Sequence, residues 1–296
     1  MNEQTPPVCS YEGSDYQMRF WDEGGRSYED AVEAIALKRL LPNEGGFMLE
    51  LGAGAGRNTP RYAQYERIAL LDFSRTQLEQ AQARLGKSER YLYIAADVYR
   101  LPFVSGIFDG ATMIRTLHHM ADPELALAQV RRVMVPGGMF ILEFANKRNL
   151  KAILRYLFGK QDWNPFDLAP VEFTKLNFDF HPKAVRSYLQ GTGFQLKKQL
   201  TVSHFRVGFL KRRIPTHILA GMDGLLQWTG GLVKVSPSVF TKCQADNNGK
   251  KASSDVLFQC PVCGTPLEGM QQDLKCSSCG HVWGYRDGIY DFRMTS

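Results

Sequence analysis

The sequence predicts an α/β chain, a doubly wound and mostly parallel sheet of seven strands with a small second module at its C-terminal end. Three observations carry this reading. Short apolar runs alternate with helical patterns from residue 47 onward, as βαβ units do. A glycine-rich turn, Gly52, Gly54 and Gly56, follows the first of those runs at once. Two C-x-x-C pairs, Cys260/Cys263 and Cys276/Cys279, stand close together near the end. With 296 residues, 44% hydrophobic and 22% charged, the chain is globular in composition and long enough for two domains.

Residues 1–46 read as a polar lead and then a helix, with Val32, Ile35, Ala36 and Leu40 at helical spacing. Pro42, Gly45 and Gly46 end it. Strands are predicted at 47–51, 68–72, 91–95, 108–114 and 139–144, and helices at 76–85 and 123–134. Residues 147–181 are basic and aromatic without a clean period, and read as an insertion over the open edge of the site. A helix at 182–189, stopped by Gly191 and Gly193, leads into strand at 194–205. An apolar helix interrupted by glycines spans 216–232, and a last strand covers 237–243. The main domain is thus 47–243. Residues 244–255 have linker composition, rich in Asn, Gly, Lys and Ser, and 256–296 form the second module. A linker there predicts two separate cores, so loss of the module should spare the main domain.

The net charge of +6 is mild but uneven. Residues 147–213 hold fourteen Lys and Arg against four Asp and Glu. Such a segment suits RNA phosphates, anionic lipid head groups or plain solvation. The N-terminal residues carry no basic run followed by an apolar core, and no apolar run reaches spanning length. A cytoplasmic protein is expected, in which disulfides are improbable and the six cysteines need another reason.

Glycine is needed where backbone approaches a ligand or takes positive φ, and a turn opening a helix offers free N–H groups. The G-x-G-x-G spacing differs from the dinucleotide G-x-G-x-x-G. Glu50 stands two residues before the first glycine. Asp72 ends the second strand, where a carboxylate can take a ribose diol. Asp97 follows the third strand, and packing requires none of these acids. His118 and His119 fall just past the fourth strand, at the carboxyl edge where ligands bind.

Together with Thr116-Leu-His-His, the run 132–138 and the acidic strand ending at Glu143, these motifs resemble class I S-adenosylmethionine-dependent methyltransferases, with their Rossmann-like fold. Within that class they are most similar to the group that includes the quinone-biosynthesis enzymes. The resemblance covers about 45–245. It implies that Gly52, Gly54 and Gly56 pass the methionine part of S-adenosylmethionine and that Glu50 meets its amino group. It implies Asp72 on the ribose, Phe73 on the adenine ring, Asp97 on the adenine amino group and the Val98 N–H on a ring nitrogen. Arg115 would stand at the substrate mouth of the same pocket. His118 or His119 is the candidate base, with helix capping or packing as the plainer role. Relatives that methylate amines or amides carry Asn/Asp-Pro-Pro-Tyr/Phe after the fourth strand. This chain has Ile114-Arg-Thr-Leu, which favours oxygen or carbon acceptors.

Four cysteines as two C-x-x-C knuckles fit structural zinc, with no coordination position left for catalysis. Cys9 and Cys243 lie outside this set and read as ordinary thiols. The tail from Trp283 onward resembles the zinc-ribbon activator subunit of certain methyltransferases, here fused in cis. The expected function is methyl transfer to a small or lipid-like acceptor. A wobble-uridine tRNA enzyme, another RNA or protein methyltransferase, and a non-catalytic binding protein are the alternatives. The oligomeric state is left open.

Overall fold

A computed structural model describes residues 6–15, 17–252 and 256–294. The elements run α1 (Ser27–Leu40), β1 (Gly45–Leu51), β2 (Tyr65–Asp72), α2 (Arg75–Leu85), β3 (Tyr91–Ala95), β4 (Phe108–Met113), α3 (Pro123–Val133) and β5 (Met134–Ala145). They continue with α4 (Leu150–Leu157), β6 (Val171–Thr174), β7 (Asn177–Asp179), α5 (Pro182–Gly191), β8 (Phe194–Val202), α6 (Gly208–Arg213), α7 (Thr216–Leu226) and β9 (Ser238–Ala245). Five short strands follow: β10 (Phe258–Gln259), β11 (Pro266–Leu267), β12 (Leu274–Lys275), β13 (Val282–Arg286) and β14 (Ile289–Asp291).

The seven predicted strands form one sheet in the order β3-β2-β1-β4-β5-β9-β8. The first five are parallel, and β9 runs antiparallel to both β5 and β8. The central strands are buried on both faces, from Met48 to Leu51 and from Ile68 to Leu71, and apolar there except for Glu50, because helices cover the sheet on either side. Parallel order brings the ends of β1, β2, β3 and β4 to one edge, where the glycine turn and the acids lie.

The C-terminal module does not stand apart. β14 pairs in parallel with β3, with Ile289 opposite Tyr93 and Asp291 opposite Ala95, and β13 and β12 extend the sheet to ten strands. This satisfies an otherwise bare sheet edge. Phe258 packs 5.7 Å from the Phe103 ring and 5.0 Å from Phe292, so aromatic residues of the module complete the core under β3 and β4. The expectation of two cores parted by a free linker is therefore corrected.

The linker itself is pinned. Ala245 is still in β9, the Asp246 N–H donates to the Gly193 carbonyl, and Arg131 binds Asp246 and the Asn248 carbonyl. The Ala252 N–H reaches the Gly106 carbonyl. Residues 253–255 lie outside the described residues. Hydrophilic composition here marks a surface strap whose polar groups are satisfied by the main domain.

Residues 147–181 resolve into α4 and the β6/β7 hairpin, with the hairpin tip laid over the histidines. The apolar helix is shorter than its pattern. It ends at Leu226 and continues as a 3-10 turn from Gln227 to Gly231, where a side chain at Gly230 would strike the backbone of β8. α7 is anchored to α1 by the buried Asp223, which accepts from the Tyr28 hydroxyl at 2.8 Å and the His204 N–H at 2.7 Å.

Candidate active site

The glycine turn follows β1 with Gly52 at φ 66° and Gly54 at φ 53°, left-handed geometry that favours glycine. A side chain at Gly52 would collide with Thr116, while one at Gly54 would find no atom nearer than Gln77 Oε1 at 3.9 Å. The backbone at Gly54 is thus open to a ligand. Asp72 sets the turn: one carboxylate oxygen accepts the Gly54 N–H at 2.8 Å, the other the Ser74 N–H at 2.9 Å. Each oxygen keeps a free lone pair, so these bonds leave room for a diol.

Glu50 is buried and, among the described residues, has one hydrogen bond, from Thr59 Oγ1 at 2.6 Å. Burial pushes its carboxyl up to about 7, against the pull of Thr59, Arg57 and Arg61. A buried, under-satisfied carboxylate beside an open backbone turn suits a ligand cation. Burial also raises the Asp72 and Asp97 carboxyls, with backbone N–H groups opposing.

Glu50, Gly52, Gly54, Asp72, Phe73, Val98, Arg115 and His119 line one cleft of about 1000 Å³, open mouth included. Three predicted residues do not. Gly56 faces α2, where a side chain would meet Leu85 at 2.8 Å, so close helix packing explains it. Asp97 accepts the Tyr99 N–H at 2.9 Å and caps the short turn beyond β3, between the lining residues Ala96 and Val98. His118 is partly buried next to the cleft wall, and burial, with His119 and Arg115 nearby, holds its pKa well below the usual imidazole range.

His119 is the better placed histidine. Its Nδ1 lies 3.0 Å from the Leu176 carbonyl, which can only accept, so Nδ1 carries the proton. Nε2 then accepts from the Tyr11 hydroxyl at 3.1 Å. Burial lowers its pKa and keeps the ring neutral.

A lid over the cleft comes from residues whose sequence carries no periodic signal. Val8, Cys9, Tyr11 and Trp21, all from the polar lead, form part of the cleft wall. The Trp21 ring lies 3.5 Å from the Arg57 guanidinium and 4.9 Å from that of Arg115. Both arginines are held by Glu33, buried on α1, at 2.7 Å from Arg57 Nη2 and 2.5 Å from Arg115 Nε. Burial alone would raise the Glu33 carboxyl, but Arg115 and Arg57 outweigh it and hold it low. Only Trp21 beside a charged, Glu-bearing helix was visible in one dimension. The pairing of both arginines through Glu33 spans 82 positions and has no local signal. Cys9, read as an ordinary thiol, sits in this wall.

The C-terminal module reaches the same lid. Arg293 binds Glu12 at 2.9 Å and approaches the Phe73 carbonyl at 3.3 Å. Glu12 in turn accepts from the Arg75 N–H and the Thr76 hydroxyl at the start of α2. Exposed pairs of this kind contribute modestly, so Arg293→Ala is expected to weaken cofactor binding by about two- to fivefold. Calorimetry showing unchanged affinity would disconnect the module from the lid.

The four cysteine sulfurs lie within 4.8 Å of one another, with Cys260 to Cys279 at 3.7 Å and Cys263 to Cys276 at 3.4 Å. Tetrahedral zinc with sulfur ligands has edges of about 3.8 Å. Gly264 and Gly280, at φ 75° and 74°, close each knuckle by donating to the Cys260 and Cys276 carbonyls. The donor set fits the metal. Cys243 is buried in β9, where burial pushes its thiol up to about 12.

This fold, with its cleft at the carboxyl edge, is shared with a solved structure described as an S-adenosylmethionine-dependent methyltransferase from Listeria monocytogenes, at TM-score 0.54 and 15% identity, covering 74% of this chain and 99% of that one. Residues 49–142, about a third of the chain, match the family described as a methyltransferase domain. The chain is 34% identical over 109 residues to an O-methyltransferase of Penicillium expansum, covering 35% of this chain and 40% of the relative. It is 29% identical over 138 residues to the 27-O-demethylrifamycin SV methyltransferase of Amycolatopsis mediterranei, covering 44% and 51%. The chain thus matches about half or less of the length of these relatives. A solved complex of the Haloferax volcanii Trm112 methyltransferase activator with a candidate methyltransferase shares the fold, at TM-score 0.54 and 17% identity, covering 76% of this chain and 93% of that one.

Proposed function

We propose that the chain transfers a methyl group from S-adenosylmethionine to an oxygen of a small or lipid-like acceptor. The observation that carries this is the juxtaposition of Glu50, Asp72 and the open backbone at Gly54 in one cleft, with His119 in the same lining. Glu50 would take the ammonium of the donor, Asp72 its ribose diol, and Phe73 and Val98 its adenine. Bound there, the donor supplies an activated sulfonium methyl for an in-line displacement, so positioning supplies much of the rate. One relative above is named an O-methyltransferase and the other a 27-O-demethylrifamycin SV methyltransferase, which supports oxygen as the acceptor atom.

His119 would act as the base. An acceptor hydroxyl taking the place of the Tyr11 hydroxyl would hand its proton to Nε2, while the Leu176 carbonyl keeps Nδ1 protonated and aims the ring. Because burial depresses the His119 pKa, the base form should persist through neutral pH. The rate is expected to stay flat at neutral pH and to fall only below the ordinary imidazole range. His119→Gln should remove that acid limb and lower kcat by roughly 10²-fold. An unchanged profile in the variant would remove His119 from the chemistry.

The C-terminal ribbon would hold one structural zinc through Cys260, Cys263, Cys276 and Cys279 and serve as a built-in activator, bracing β3 and the lid. A deciding experiment offers methyl-labelled donor with a panel of phenolic, quinol and lipid acceptors, and separately with tRNA. Label in organic-extractable product is expected. Label in tRNA alone would replace the acceptor class, and donor binding without any transfer would favour a non-catalytic role. The fold also occurs in a protein named for a reaction other than methyl transfer, a [4+2]-cyclase at TM-score 0.51 and 17% identity.

A further inference from the structure

The acceptor side of the molecule presents a surface that the cleft does not use. Among the described residues, twenty-one large apolar side chains stand exposed, and sixteen of them lie between residues 150 and 233. Dispersed single exposures are ordinary, but concentration in one stretch marks an interaction face.

Two pieces of chain build it. α4, Leu150-Lys-Ala-Ile-Leu-Arg-Tyr-Leu, buries only Ala152. Leu150, Leu154 and Leu157 share one helix face and are 53%, 44% and 66% exposed, and Phe158 follows them. The second piece is the end of α7 and its 3-10 turn, with Leu225, Trp228, Leu232 and Val233 exposed, Leu232 at 91%. The two are tied together. The Leu150 N–H donates to the Val235 carbonyl at 2.7 Å, and the Asn146 side chain to the Lys234 carbonyl at 3.2 Å. The register of β5 and β9, Ala145 opposite Ser238, places both pieces just past the carboxyl edge of the sheet, the edge where the cleft opens.

Cations accompany the apolar groups. Lys151 and Arg155 are exposed on α4 itself. Lys198 lies 4.0 Å from the Trp228 ring and Arg213 4.4 Å from that of Phe209. Of the fourteen Lys and Arg in 147–213, Lys147 is buried and Arg206 and Lys211 pair with Glu29, and the rest still outnumber the four acids of the stretch.

We infer that this face docks on an anionic lipid bilayer. Leucine, valine and tryptophan side chains enter the head-group and acyl boundary, and Lys and Arg meet lipid phosphates. The positive charge argues for an anionic partner. The aliphatic side chains argue for lipid over nucleic acid, because bases stack on aromatic rings and leave exposed leucines wet. No helix among the described residues is long and apolar enough to cross a bilayer, so the protein lies on the surface. The inference deepens the lipid-like acceptor reading, since a docked cleft would receive its acceptor from the membrane plane, but docking itself requires no methyl transfer.

The test is flotation of the full, zinc-loaded chain with vesicles of phosphatidylcholine containing roughly a third phosphatidylglycerol, and with phosphatidylcholine alone. Binding to the first and much weaker binding to the second is expected. Leu157→Ser with Leu232→Ser leaves net charge unchanged and touches only exposed positions, and should cut partitioning by about tenfold or more. Circular dichroism checks that the variant is folded. Unchanged partitioning of the folded variant would reduce the attraction to bulk charge and overturn insertion. Retention on tRNA with no vesicle binding, or a dimer in light scattering that the two substitutions dissolve, would assign the face to RNA or to a second copy.

Discussion

Cys276→Ser is expected to abolish zinc binding and to destabilise the protein well beyond its C-terminal module. Structural zinc contributes its binding energy to folding, about 10–16 kcal/mol in isolated zinc-finger peptides. Here the module could not fold alone on the little core it buries. Its loss would strip β14 from β3 and remove Phe258, Trp283 and Phe292 from a core shared with Phe103 and Phe108. Hydrogen exchange should therefore show faster exchange at Tyr93 and Ile94 in β3, together with a lower Tm for the whole chain. Elemental analysis should find about one zinc per wild-type chain and none in the variant. Protection of β3 that survives the loss of zinc would restore the picture of two independent cores.

Asp72→Ala is expected to weaken S-adenosylmethionine binding by about 1–3 kcal/mol, the scale of unmade buried hydrogen bonds. The Gly54 and Ser74 N–H groups would also lose their acceptor, so stability should fall with affinity. Asp72→Asn, which keeps one acceptor oxygen, separates the two effects. Equal affinity in the alanine variant would remove Asp72 from the ribose.

Glu50 adds a pH signature to the same site. Its carboxyl in the folded protein sits at about 7, above its unfolded value. The unfolded chain therefore binds fewer protons between the two values, and this group's contribution to stability is lost as pH rises through that window. An ammonium ligand reverses the preference by favouring the carboxylate. Donor affinity should thus rise with pH up to about 7, by as much as about tenfold per pH unit, with release of a proton that calorimetry in different buffers detects. Glu50→Gln should flatten this dependence. A wild-type affinity independent of pH would place the ammonium elsewhere.

The sequence alone determined the α/β class, the seven strands of the main sheet, the glycine turn and the acids at the carboxyl ends of β1, β2 and β3. These are legible because they are local. A buried parallel strand reads as a continuous apolar run, a left-handed turn demands glycine, and the carboxyl ends of successive strands recur at fixed places in the chain. The four cysteines were equally legible, since ligand spacing within a knuckle is set by one tight turn. Tertiary structure decided what depended on distant partners. Glu33 joins Arg57 and Arg115 from separate elements, Trp21 covers both, and Tyr11 meets His119 across 108 positions, so the lead became a lid without any periodic signal. The hydrophilic stretch after β9 looked like a free linker because composition records exposure, not attachment, and Arg131 and Gly106 supply the attachment from elsewhere. The pairing of β14 with β3 was hidden for the same reason. Backbone hydrogen bonds across a sheet edge need only extended geometry and a vacant edge, and neither leaves a mark in side-chain pattern.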